Sequence, residues 1–109
     1  MVITIQLKAL SVNNAWRGRR FKTDDYKQYE ADCFKLIKGE KVEGWVEIKY
    51  RFYLKNFGNT DVSNLVKLLE DIIVKCELID DDRKVVEFSA KKIKSKEDKI
   101  EIELLPYKL

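Results

Sequence analysis

Val46-Glu47-Ile48-Lys49-Tyr50-Arg51-Phe52-Tyr53-Leu54-Lys55 sets Val46, Ile48, Tyr50, Phe52 and Leu54 against Glu47, Lys49, Arg51, Tyr53 and Lys55. That period of two is the signature of a strand with one face buried. Immediately after it, Asn56, Gly58 and Asn59 make a turn between Lys55 and Thr60. The pattern then changes: Leu65, Leu68, Leu69, Ile72, Ile73 and Cys76 recur at helical spacing, predicting a helix over about Val62 to Cys76. On the other side of the strand, Gly39 and Gly44 punctuate the chain. Before them, Thr23 as N-cap, Asp24 and Asp25 in a first turn, and Tyr26, Tyr29, Cys33, Leu36 and Ile37 at helical spacing predict a helix from Asp24 to about Lys38. At the start of the chain, Ile3, Ile5 and Leu7 alternate with polar residues in a first strand ending between Leu7 and Leu10. At its end, Val85 to Ile93 and Lys99 to Leu105 read as two strands joined by a hairpin turn at Ser95-Lys96-Glu97-Asp98. The order β-α-β-α-β-β predicts one α+β domain over residues 1–109, with both helices packed on one face of a mixed or antiparallel sheet.

Composition narrows the chemistry. With 109 residues, 45% hydrophobic and 38% charged, the chain suits one soluble globular domain. It has no apolar run of about 18 residues and its start is not organised as a signal peptide, so the expectation is a cytoplasmic protein with no membrane partner. Cys33 and Cys76 lack metal-ligand spacing and read as reduced core thiols. Histidine is absent, which removes Ser-His-Asp and Cys-His catalysis and histidine metal sites together. Hydrolytic chemistry on this chain would have to run on carboxylates, lysines and a hard cation such as Mg²⁺.

Two polar elements depart from a plain core pattern. Asp61, Asn64 and Lys67 lie at i, i+3 and i+6, on one flank of the second helix. Such a flank is either the solvated side of the helix or a site, and Lys67 also has an ion-pair partner at hand in Asp71, four residues on. Asp80-Asp81-Asp82 repel one another unless a cation sits among them; a divalent metal would serve, and so would a solvated turn answered by Arg83 and Lys84. Cations are clustered as well, although the net charge is only +3. Arg17, Arg19, Arg20 and Lys22 crowd a loop with Trp16 and Phe21, and Lys91, Lys92, Lys94, Lys96 and Lys99 crowd the last two strands. The first group is a candidate phosphate-binding element, with Trp16 and Phe21 either exposed for contact or packed under the loop. The second either widens the positive surface or is a solvated hairpin.

The ordered set Ser11-Val12-Asn13-Asn14, Asp61-Val62-Ser63-Asn64-Leu65-Val66-Lys67 and Asp81-Asp82 resembles the RusA family of Holliday junction resolvases, in which the helix motif is usually D-x-D-N-L-x-K and an Asp-Asp pair follows it. The resemblance runs from about Ile3 to Leu105. It implies that Asp61 and Asp82 are metal-binding carboxylates, that Lys67 is a lysine needed for cleavage, and that Asn64 is the motif asparagine, with Asp81 and Ser63 as further metal-site residues. It also groups Asn13 and Asn14 with Trp16, Arg17, Arg19, Arg20 and Lys22 as DNA contacts. The implied protein is a homodimer, often encoded by prophages, that cuts four-way DNA junctions in recombination and repair with Mg²⁺, or Mn²⁺ in its place. One position departs from the pattern: Ser63 stands where the family most often has a second aspartate. A serine hydroxyl ligates Mg²⁺ without charge, so the metal would be held less firmly unless Asp80 or Asp81 compensates. The opposite reading is a junction-binding protein that cuts poorly or not at all, and outside the family the chain reads as a small α+β interaction domain.

Overall fold

The computed structural model describes residues 1–18 and 21–109. Its strands are β1 (Val2–Ile5), β2 (Trp16–Arg17), β3 (Phe21–Lys22), β4 (Val46–Leu54), β5 (Val85–Lys94) and β6 (Lys99–Pro106); its helices are α1 (Asp24–Leu36) and α2 (Ser63–Lys75). β2 and β3 form a small two-stranded ribbon, and the other four make a mixed sheet in the order β1-β6-β4-β5. The α+β arrangement expected from the sequence is the one observed. β4 is central, antiparallel to β6 and parallel to β5. Parallel neighbours need a long connection, and α2 supplies it.

The alternation in β4 is realised residue by residue. Val46, Ile48, Tyr50, Phe52 and Leu54 are buried, and the residues between them are half-buried on the open face. Ile100, Ile102 and Leu104 of β6 and Ile3 and Ile5 of β1 join them in one core with Tyr26, Tyr29 and Cys33 of α1 and Leu65, Val66, Leu68, Leu69, Ile72 and Ile73 of α2. Across the open face, Arg51 bonds to Glu101, its register partner on β6, and to Glu103 at 3.1 Å. Thr23 caps α1 as expected, its hydroxyl accepting from the Tyr26 amide at 3.2 Å.

One expectation fails: β5 and β6 are not a hairpin. Residues 95–98 instead carry the chain around the end of β4, which lies between the two strands. The Ser95 amide donates to the Leu54 carbonyl at 3.0 Å, and Asp98 Oδ1 accepts from the Lys55 amide at 3.0 Å, so the loop caps the last backbone groups of the central strand. The sequence between two alternating runs looks the same whether the strands pair directly or straddle a third.

Candidate active site

The turn before α2 is held from the edge strand. Lys92, in register with Phe52 and so on the helix-bearing side of β5, donates to the Phe57 carbonyl at 2.6 Å and the Thr60 carbonyl at 2.9 Å, with its ammonium 4.4 Å from the Phe57 ring centroid. Its charge is therefore spent inside the fold. Lys91, Lys94 and Lys96 are exposed.

Asp61 follows directly and is exposed. α2 has Val62 at its N-cap position with no side-chain cap. Asp61 fills that role one residue early: Oδ1 accepts from the Ser63 amide at 3.2 Å and from the Ser63 hydroxyl at 2.9 Å. A carboxylate here also meets the positive end of the helix dipole. The Ser63 hydroxyl is thus committed as a donor to the carboxylate two residues before it. Asn64 is half-buried one residue on, and Lys67 is exposed, with Nζ 3.8 Å from Asp71 Oδ1.

The acidic trio divides by function. Asp80 Oδ1 pairs with Lys41 at 2.7 Å and Oδ2 accepts from the Gly44 amide at 3.0 Å, so this carboxylate binds the α1–β4 loop to the acidic loop. The Lys41 ammonium, with the Gly44 amide, lowers its pKa. Asp81 caps a 3₁₀ turn at Asp82–Lys84, Oδ1 accepting from the Arg83 amide at 3.0 Å and Oδ2 from the Arg83 guanidinium at 3.2 Å. Led by that amide bond, these contacts bring its pKa down to about 2. Asp82 moves the other way. Its hydrogen-bonding contact with Asp81 and the repulsion between them raise it, and the nearby Lys67 charge pulls it back. Lys67 likewise lowers Glu70, which burial and the charges of Asp82 and Asp71 raise. α2 packs against the 3₁₀ turn of the acidic loop, and Asp71 of the helix lines one cavity with Asp81 and Asp82.

Asp71 pairs with Lys67 as its i+4 spacing leads one to expect, and Glu70 is the neighbour that motif reading misses. Their spacing from Lys67, i+3 and i+4, is the signal that places them on its face. Among the described residues no three acids or thiols converge on one point. The donor set nevertheless fits Mg²⁺, a hard cation that keeps several waters and takes one or two carboxylates plus substrate phosphate. Asp81 and Asp82 are such a pair, adjacent in the chain and lining one cavity.

The basic loop lies beside this group. Asn13 and Asn14 are exposed on a 3₁₀ turn, Val12–Asn14, tied down by a bond from the Thr23 hydroxyl to the Asn14 carbonyl at 2.7 Å. Trp16 packs edge-on against Tyr26, ring centroids 5.3 Å apart, yet stays 40% exposed. Arg17 and Phe21 are exposed; Arg19 and Arg20 lie outside the described residues. Lys22 is engaged within the fold, its ammonium 2.9 Å from Glu30, which also pairs with Lys75 at 2.7 Å. A cavity of about 300 Å³ joins this loop to the acidic one, with Trp16, Lys22, Tyr26 and Lys75 on one side and Asp81 and Asp82 on the other.

A family model described as Endodeoxyribonuclease RusA matches residues 8–105, nearly the full length. No curated protein matches the chain. No helix among the described residues is long and apolar enough to cross a membrane.

Proposed function

Because the chain belongs to the RusA endodeoxyribonuclease family, we propose that it is a homodimeric, Mg²⁺-dependent nuclease that resolves four-way and other branched DNA by phosphodiester hydrolysis. The observation that carries the reading is the family match over residues 8–105, supported by the cavity that the basic loop and Asp71 of α2 share with Asp81 and Asp82. Asp81 and Asp82 would hold the cation; Asp61 and Ser63 at the helix start would join them on a shift of the acidic loop toward α2, since the described residues bring no three acids to one point. Bound there, Mg²⁺ or Mn²⁺ supplies activation of water and stabilisation of charge on the scissile phosphate. Lys67 adds a cation for the phosphate oxygens, and Asn64 orients the backbone beside it. Exposed Asn13, Asn14, Trp16 and Arg17 face the DNA arms, with Arg19 and Arg20 in the same segment of sequence. A two-fold dimer carries two such sites and nicks strands of like polarity symmetrically.

Synthetic four-way junctions with Mg²⁺ test this. Parent protein is expected to cleave, while Asp82→Asn and Lys67→Ala lose about 10²-fold or more in rate. Full cleavage by Asp82→Asn would refute the site. A second reading is favoured by the bond from the Ser63 hydroxyl to Asp61, which occupies the position of a charged ligand: a junction-binding module with weak or no cleavage. Tight, structure-selective binding without cleavage selects it, and Ser63→Asp would then restore cutting or lower the Mg²⁺ needed for half-maximal rate.

A further inference from the structure

We propose that Trp45, with Lys84 and Arg83, forms a stacking subsite for an unpaired nucleotide next to the acidic loop, on the opposite side of Asp81 from Trp16. This rests on the reading of the protein as a branched-DNA nuclease and names how it recognises the branch.

A second cavity, about 320 Å³, is lined by Trp45, Asp81, Arg83 and Lys84. Asp81 therefore stands between two hollows, each with a tryptophan that is 40% exposed. The backbone that carries Trp45 is pinned. Gly44 adopts φ +78°, a conformation open to glycine, and gives its amide to Asp80. Val42 bridges to Ile79 and donates to the Leu78 carbonyl at 2.8 Å, and the Trp45 carbonyl accepts from the Tyr107 amide at 2.8 Å. An aromatic on a fixed backbone has only its two side-chain torsions to order on binding.

The surroundings select the ligand. Lys84 Nζ lies 4.4 Å from the Trp45 ring centroid, and the exposed Arg83 guanidinium is on the same rim. With Arg83 paired to Asp81 on the rim, Lys84 is the cation that lies over the indole face, and a flat ring that carries its own anion, which is a nucleotide, suits an aromatic and an ammonium set side by side. The flexible Lys84 can leave the indole to a base and follow the adjoining phosphate. The volume lies at the low end of ligand clefts, about 300 to 1,000 Å³, suiting one base rather than a duplex. Paired bases keep their faces covered by their neighbours, so only a branch point or single strand offers one to the indole.

Trp16→Phe leaves Trp45 as the sole tryptophan. In EDTA, its fluorescence is expected to quench saturably on titration with oligo-dT and with a four-way junction, and not with a blunt duplex of the same sequence. In the parent background, Trp45→Leu should weaken junction binding by anisotropy about tenfold, leave duplex binding unchanged, and be largely rescued by Trp45→Phe. Junction bound as tightly by folded Trp45→Leu as by the parent overturns the subsite alone, and so does an equal loss for duplex. A parent that neither binds nor cuts junctions overturns the nuclease reading and the subsite together.

Discussion

Tyr50 is 1% exposed in the middle of the central strand, stacked on Phe52 with ring centroids 6.0 Å apart, and its hydroxyl has no hydrogen-bond partner among the described residues. Burial pushes its pKa up. A buried hydroxyl without a partner costs about 1 to 3 kcal/mol. Tyr50→Phe, which keeps the ring and removes only the oxygen, is therefore expected to raise the thermal midpoint by about 4 °C or more in a calorimetric scan. Composition favours a tyrosine at such a position no more than a phenylalanine, so alternation announces the burial of Tyr50 but not its orphaned oxygen. Trp45 is the reverse case. Beside Gly44 and the start of an apolar strand it reads as a strand-edge residue, and only the bonds made by Val42, Gly44 and Tyr107 to segments distant in sequence reveal it standing over the acidic loop.

α2 closes with a device that its sequence conceals. The Leu78 amide bonds to the Ile73 carbonyl at 3.2 Å and the Glu77 amide to the Val74 carbonyl at 3.0 Å, the paired bonds of a Schellman ending, and Leu78 is buried against the core. The residue in the left-handed position is Glu77, φ +60°, where glycine is usual. Glu77→Gly should stabilise the protein by about 1 kcal/mol, measured as a shift in the urea midpoint with unchanged slope. With no glycine to mark it, the sequence places the end of this helix by the last apolar residue, Cys76, only one position beyond the observed Lys75. The opposite end was legible for another reason. A D-x-x-N-L-x-K order sets Asn64 and Lys67 on α2 with Asp61 just before its N-cap, while the place of the acidic loop beside the helix depends on how the chain returns after α2, which no local pattern states.

Glu30 connects three elements, taking Lys22 of β3 and Lys75 of α2 onto one carboxylate of α1. Burial alone would raise its pKa, but the two lysines outweigh that and hold it below the ordinary value of 4.5. A depressed acid stabilises the fold fully above the unfolded value and progressively less as pH falls through the folded one. Glu30→Gln should thus lower stability at pH 7 and narrow its gap to the parent below about pH 4.5, as followed by thermal melts across pH. Neither lysine lies at helical spacing from Glu30, so this knot is visible only once β3, α1 and α2 are packed. Sheet order has a similar dependence on the late chain. β1 pairs only with β6, and β4 pairs only with β5 and β6. During synthesis, then, a ribosome that has made everything through α2 has released no two strands of the main sheet able to pair with each other. The amphipathic helices must wait, unsheeted, for residues 85–106, and the surface that joins the acidic loop to the sheet cannot assemble on a nascent chain before those residues have left the exit tunnel.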